Sequence, residues 1–257
     1  MLDEALGWNV TLPLNKVLLV KDAVSAPASF LLLYLLRKIL ASPESFVIFV
    51  GLKEPFSHYT KIARKQGCNL LAHQDGGSFV YIDLLSKTIL QLSDWTTNDT
   101  ATSVENKLFL LFQCFVRLLK QASGRKVWIV IDDVSLLEVV TQGNSAHVRD
   151  FLHYCQTLAS RQQVCSLLLL THRDVYEDIN ETSMAYQLEY MSDTVINVEP
   201  LATGQATDVH GQVIVEHKVP CNLDASAHIN IRQDSRGCGL HYKLSENAVQ
   251  FFVPGKH

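Results

Sequence analysis

At 257 residues, with 47% hydrophobic and 19% charged side chains, the chain has the material for one α/β domain or two small ones and is not a disordered polypeptide. Its net charge of −4 argues against a free-standing, strongly basic nucleic-acid binder.

The start, Met1-Leu2-Asp3-Glu4, lacks the basic segment that opens a secretory signal. Lys16 to Lys21 predicts a first strand, and Ala26 to Leu40 a helix that is apolar almost all round, with Pro27 in its first turn. The longest apolar run, Phe30 to Leu36, is closed by Arg37 and Lys38, too short for a membrane span, so no membrane is expected. Phe46 to Val50 follows as a second strand, without polar alternation, as expected of a strand buried on both faces of a parallel sheet. A helix from Phe56 to Gln66 is ended by Gly67, and Phe79 to Asp83 is a third strand.

Ser86 to Val104 is polar around Asp94 to Thr100 and reads as a long surface loop. In the helix from Glu105 to Ala122, Leu108, Leu111, Phe112, Phe115 and Leu119 form a core stripe. Val127 to Ile131 is the strongest strand and runs into Asp132-Asp133; a helix from Ala146 to Ser160 and a strand from Val164 to Leu170 follow. This alternation predicts a doubly wound, mostly parallel sheet flanked by helices. Past Thr194 the pattern turns to short alternating stretches: Val195 to Val198, Gln212 to Glu216, Leu240 to Leu244 and Val249 to Val253, punctuated by Gly211, Gly237, Gly239 and Asn247. The expectation is one domain over 1–257, with a parallel core at 1–190 and an antiparallel extension at 191–257.

The turn after the first strand is where a phosphate-binding loop belongs. That chemistry needs glycines whose backbone N–H groups close on phosphate, a lysine for the terminal phosphates and a Ser or Thr for magnesium. Asp22-Ala23-Val24-Ser25-Ala26-Pro27-Ala28-Ser29 has neither glycine nor lysine. Asp22 brings negative charge, Pro27 removes a donor, and Ser25 and Ser29 are all that remains of the pattern. The pair Gly255-Lys256 lies at the end of the chain, where no helix follows. Ile129 to Asp133 has the form of a Walker B strand, with Asp132 and Asp133 as metal ligand and acid; without the loop it reads better as a strand end in which Asp133 caps the next turn.

No metal spacing stands among ten histidines and the six cysteines at 68, 114, 155, 165, 221 and 238, which read as buried free thiols. The sequons at Asn98 and Asn180 read as chance matches. His153 and Cys155 are two residues apart on a helix and face different ways. Glu177-Asp178 reads as a solvated pair. No G-x-S-x-G elbow is present, and no catalytic residue, cofactor or metal is expected.

Several segments, in order along nearly the whole chain, resemble the Elongator complex protein 6 family: Pro55-Phe56-Ser57-His58-Tyr59 through Ala63 and Gly67, Asp150 to Cys155, Leu201 to Gly204 with Asp208 to Gln212, and Val249 to Phe252. The resemblance implies a RecA-like fold without a working phosphate loop. It implies a hetero-hexameric ring, two copies each with Elongator complex proteins 4 and 5, docked on the catalytic part of Elongator, which modifies the wobble uridine of transfer RNA. It further implies that the ring handles that RNA, in the cytoplasm with some nuclear presence. Within this frame His58, Tyr59 and Tyr154 are candidates for contact with partner subunits, and Phe56 and Phe151 for the core. His172 and Arg173, after the strand that ends at Leu170, are candidates for contact with RNA, with Arg161 and Arg149 flanking the preceding helix. The alternatives are an NTPase with an atypical phosphate loop and a RecA-like recombination paralogue acting on DNA.

Overall fold

The computed structural model describes residues 1–8, 12–86, 104–122, 124–141, 143, 145–162, 165–176, 184–201, 204, 206, 208–218, 238–246 and 248–254. The predicted surface loop lies almost wholly outside the described residues, as do Cys221, both sequons, Glu177-Asp178, Gly237, Asn247 and Gly255-Lys256.

One nine-stranded sheet organises the chain. Its strands are β1 (Val17–Asp22), β2 (Ser45–Gly51), β3 (Phe79–Asp83), β4 (Lys126–Ile131), β5 (Cys165–His172), β6 (Thr194–Glu199), β7 (Gly211–His217), β8 (Cys238–Leu244) and β9 (Val249–Phe252). The order across the sheet is β3-β2-β4-β5-β1-β6-β7-β8-β9. Every pairing from β3 to β6 is parallel, and those from β6 to β9 are antiparallel.

The central strands are apolar at every position because successive side chains point to opposite faces and both faces are covered. Leu18, Val20, Val47, Phe49, Trp128, Val130, Leu168 and Leu170 belong to one core, under α2 (Ser29–Leu40), α3 (Phe56–Lys65) and α4 (Leu70–Asp75). Leu19, Ile48, Ile129, Ile131, Leu167 and Leu169 belong to the other, under α5 (Val104–Gln121), α6 (Val134–Val140), α7 (Ser145–Gln162) and α8 (Met184–Met191). A short helix α1 (Leu2–Ala5) adds Leu2 to the first core. Along β7 burial alternates, so the outer strands supply only one covered face, through Val213, Val215, Leu240 and Tyr242.

Several expectations change. β6 belongs to the parallel part: Leu18 to Lys21 pair with Thr194 to Asn197, and the antiparallel run begins only at β7. Asn197 gives β6 its alternating look, but its amide reaches Glu216 at 3.2 Å and leaves Val195, Ile196 and Val198 buried. Helix α2 starts at Ser29 rather than Ala26, which leaves Pro27 outside it. Ala23 to Ala26 closes a tight turn, and Ala28 is the N-cap. Helices α1, α4, α6 and α8 are too short for their periodicity to stand out, and all four are additions to the predicted set. Gly67 follows α3 with φ +81°, the left-handed conformation that a helix C′ glycine supplies at no steric cost. Cys68, Cys155 and Cys165 are buried free thiols and Cys114 is half-buried; burial pushes the Cys165 thiol up to about 12.

Among the described residues, no helix is long and apolar enough to cross a membrane, and no group of His, Cys, Asp or Glu is arranged to hold a metal ion.

Candidate functional site

The carboxyl ends of β1, β4 and β5 meet where open α/β sheets bind ligands. Here the protein's own charges fill that place. Asp22, the last residue of β1, has a fully buried side chain. Its Oδ2 accepts the Ala28 N–H at 2.6 Å, and its Oδ1 is bonded to His172 Nδ1. His172 Nε2 reaches Asp133 Oδ2 at 2.9 Å. The imidazole is thus clasped between two carboxylates, whose hydrogen bonds, Asp133 first and Asp22 second, raise its pKa to about 9 against the desolvation that opposes charge. It stands as imidazolium near neutral pH. Lys53 Nζ lies 3.3 Å from the same Nε2.

The turn after β1 is occupied in the same way. Val24 N–H donates to Asp174 Oδ2 at 2.7 Å. Two backbone amides of the loop where phosphate oxygens would be held are therefore already bonded to side-chain carboxylates. A bound phosphate would have to displace both and would meet the Asp22 carboxylate.

Asp133 also caps α6: its Oδ1 accepts from Ser135 N–H at 2.9 Å and Leu136 N–H at 3.4 Å, as expected for this residue. Ser135 Oγ accepts the His172 N–H and lies 3.1 Å from Thr171 Oγ1, which ties α6 to β5. Asp132 is buried and turned the other way. It accepts from Leu52 N–H at 2.8 Å, Lys53 N–H at 3.1 Å and the Tyr59 hydroxyl. Burial raises its pKa to about 6, and the three donors pull the other way. The same burial and the Asp132 charge push the Tyr59 phenol up.

The predicted site residues therefore separate. Ser25 is exposed in the turn and Ser29 is half-buried at the start of α2. Tyr59 is 3% exposed, with its ring tilted against that of Phe49 at 4.9 Å, so it offers no surface to a partner; its neighbour Ala63 is buried with it on the inner face of α3. His58 is on the outside, 3.9 Å from Glu54, and Tyr154 is exposed on α7. Phe56 stacks on Tyr81 at 4.7 Å, and Phe151 is buried. Exposed His153 and buried Cys155 do face apart.

The cations proposed for RNA contact do not converge. Arg173 Nη1 is paired with Glu199 at 3.2 Å, and both nitrogens of His172 are engaged. Arg161 ends α7, beside the start of β5, while Arg173 follows its end; an eight-residue strand separates them by roughly 26 Å. The side chain of Arg161 lies outside the described residues. Arg149 is on α7 beside Asp150.

Two features escape sequence reasoning. Lys53 and Asp174 join the ionic edge although neither belongs to a motif. A groove of about 460 Å³ opens between α5 and α7, lined by Leu108, Phe109, Phe112, His147, Phe151 and Tyr154. The signal for it was the apolar pair Phe109-Leu110, one position too wide for a simple core stripe.

The fold is that of known RecA-related proteins. A KaiC-like protein of Pyrococcus horikoshii OT3 superposes with a TM-score of 0.61 over 94% of this chain and 91% of that one, at 13% identity, so the RecA-like expectation holds at the level of fold. The sequence comparisons are more specific. Elongator complex protein 6 of Xenopus laevis is 30% identical over 95% of this chain and 92% of its own length. That of Homo sapiens is 27% identical over 94% and 91%, and that of Dictyostelium discoideum 22% over 95% and 92%. The family model described as Elongation complex protein 6 matches residues 4–243. With that match spanning both the ionic edge and most of the antiparallel strands, the chain belongs to the Elongator complex protein 6 family.

Proposed function

We propose that this chain is a non-catalytic, RecA-like subunit of Elongator. It serves as a structural, RNA-handling member of a hetero-hexameric ring with Elongator complex proteins 4 and 5, and that ring supports wobble-uridine modification of transfer RNA in the cytoplasm. The chain acts as a single RecA-like unit over its whole length. The observation that carries the non-catalytic part is the clasp of His172 between Asp22 and Asp133, with Ala28 and Val24 N–H groups committed to carboxylates. A phosphate site needs free amides and a lysine of its own loop; here two of the loop amides are taken, the loop from Asp22 to Ser29 has no lysine, and the imidazolium beside it is neutralised on both sides. Family membership supports the Elongator part.

The test has two arms. Calorimetric titration of the full chain with ATP and magnesium is expected to give no saturable heat at micromolar concentrations. Affinity purification from cells is expected to recover Elongator complex proteins 4 and 5 with the catalytic subunits. Saturable micromolar binding overturns the first statement, and recovery without those partners overturns the second.

A further inference from the structure

At the sheet edge His172 and Arg173 are paired with carboxylates and Lys53 stands beside His172; a larger group of cations lies along α3. Pro55 through Gln74 contains no Asp or Glu, and within it α3 carries Lys61, Arg64 and Lys65. All three are exposed, and none forms an ion pair among the described residues. The helix buries Tyr59 and Ala63 and packs Phe56 and Ile62 against the core, so at 3.6 residues per turn Ser57, Lys61, Arg64 and Lys65 share the outward side. Arg37, half-buried on α2, donates to the Gln66 carbonyl at the end of the same helix and adds a fourth cation there.

We propose that the outward face of α3 is a contact site for the sugar–phosphate backbone of RNA. The proposal rests on the RNA-handling reading above and places the contact away from the sheet edge. Two observations favour a nucleic-acid backbone over an acidic protein. The face has no exposed large hydrophobic residue, whereas protein interfaces are built around an apolar and aromatic centre from which lysine is depleted. Its groups are Lys, Arg and the exposed Ser57 hydroxyl, which are among the usual phosphate donors. The helices on the opposite side of the sheet show the contrary pattern, exposing Phe109, Leu110, Tyr154, Tyr186 and Tyr190. Because phosphate contact is a matter of charge and carries no base readout, the site is expected to accept RNA without sequence preference.

The experiment is filter binding of an unmodified transfer RNA transcript to the full chain, co-purified with its partners, between about 50 and 200 mM salt. Lys61→Glu/Arg64→Glu/Lys65→Glu is expected to weaken binding at low salt and to reduce the slope of log affinity against log salt by about 2 to 3, with the three-glutamine variant intermediate. Arg117→Glu/Lys120→Glu, on α5, is expected to leave both unchanged. Thermal melts and gel filtration check that each assembly is intact. If the wild-type assembly binds no transfer RNA, the RNA reading itself fails and takes this site with it. If the wild type binds and the α3 variants keep its affinity and slope, the site is refuted while the reading stands. An equal loss in the α5 variant means diffuse net charge and refutes the site. Loss of partner proteins from the α3 variants makes the face an acidic-protein dock and also overturns the proposal.

Discussion

Asp22 and His172 are opposite each other on the last rung of the β1–β5 ladder, so the bond between their side chains is fixed by strand register. Removing the imidazole leaves the Asp22 and Asp133 carboxylates buried without their shared cation. His172→Ala is therefore expected to cost on the order of 3 kcal/mol, read by denaturant melts at pH 7. Because the folded pKa is raised from 6.5 to about 9, the contribution of His172 is fully present below pH 6.5 and is lost as the pH rises through about 9. A wild type that loses no more stability than His172→Ala between pH 7 and pH 10 would contradict the clasp.

Asp132 also makes stability fall as the pH rises, but for the converse reason: the fold disfavours its charged form. Its folded pKa is about 6, above the ordinary 3.8, so its ionisation opposes folding, and its unfavourable contribution grows as the pH rises from about 3.8 and levels off once the pH has passed about 6. Asp132→Asn removes that charge and keeps an acceptor for Leu52 or Lys53 N–H. Its stability relative to wild type is expected to improve by about 1 kcal/mol between pH 5 and pH 8. Paired melts at the two pH values decide, and a relative stability that falls over this range refutes it.

Tyr59 and Tyr154 separate folding from surface. Tyr59→Glu puts a second carboxylate against buried Asp132 and is expected to destabilise the isolated chain by more than about 3 kcal/mol. Tyr154→Glu changes an exposed ring and is expected to stay within about 0.5 kcal/mol of wild type. Thermal melts of both variants check this. A normal melt for Tyr59→Glu would show that Tyr59 is outside the core.

Gly51 ends β2 where it faces Tyr81. A Cβ there would lie 1.9 Å from the Tyr81 hydroxyl, which donates to the Glu54 carbonyl. Gly51→Ala is expected to cost about 1 to 3 kcal/mol, and Gly51→Ala/Tyr81→Phe to recover part of it. A single variant as stable as wild type refutes the close approach.

The layering of the fold is legible in the sequence. Phe46 to Val50, Val127 to Ile131 and the run up to Leu170 are apolar at consecutive positions, which only a doubly covered sheet accommodates. The direction of β6 is not legible, because Thr194 to Glu199 alternates as an antiparallel strand would and its parallel partner β1 is some 175 positions away. Of the site, the loss of the phosphate loop is readable from Asp22 to Ser29 alone. What replaces it is not: no local spacing links Asp22 to His172, and a histidine after a strand looks the same whether it faces solvent or two buried carboxylates. Tyr59 misleads for a related reason, since the aromatic and histidine cluster at 56–59 does not say which side of α3 faces the sheet.

β1 lies between β5 and β6, both made long after it. During synthesis the chain emerges with a strand of Val17, Leu18, Leu19 and Val20 that has neither neighbour until residues 165–172 and 194–199 leave the ribosome. At about 5 to 20 residues per second that interval lasts roughly 8 to 40 s, during which an apolar strand edge is open to mispairing. Closing loops of this length also slows the final assembly. Folding of this subunit is therefore expected to be post-translational and dependent on chaperones, and chains cut short before Thr194 to be captured by them rather than to fold.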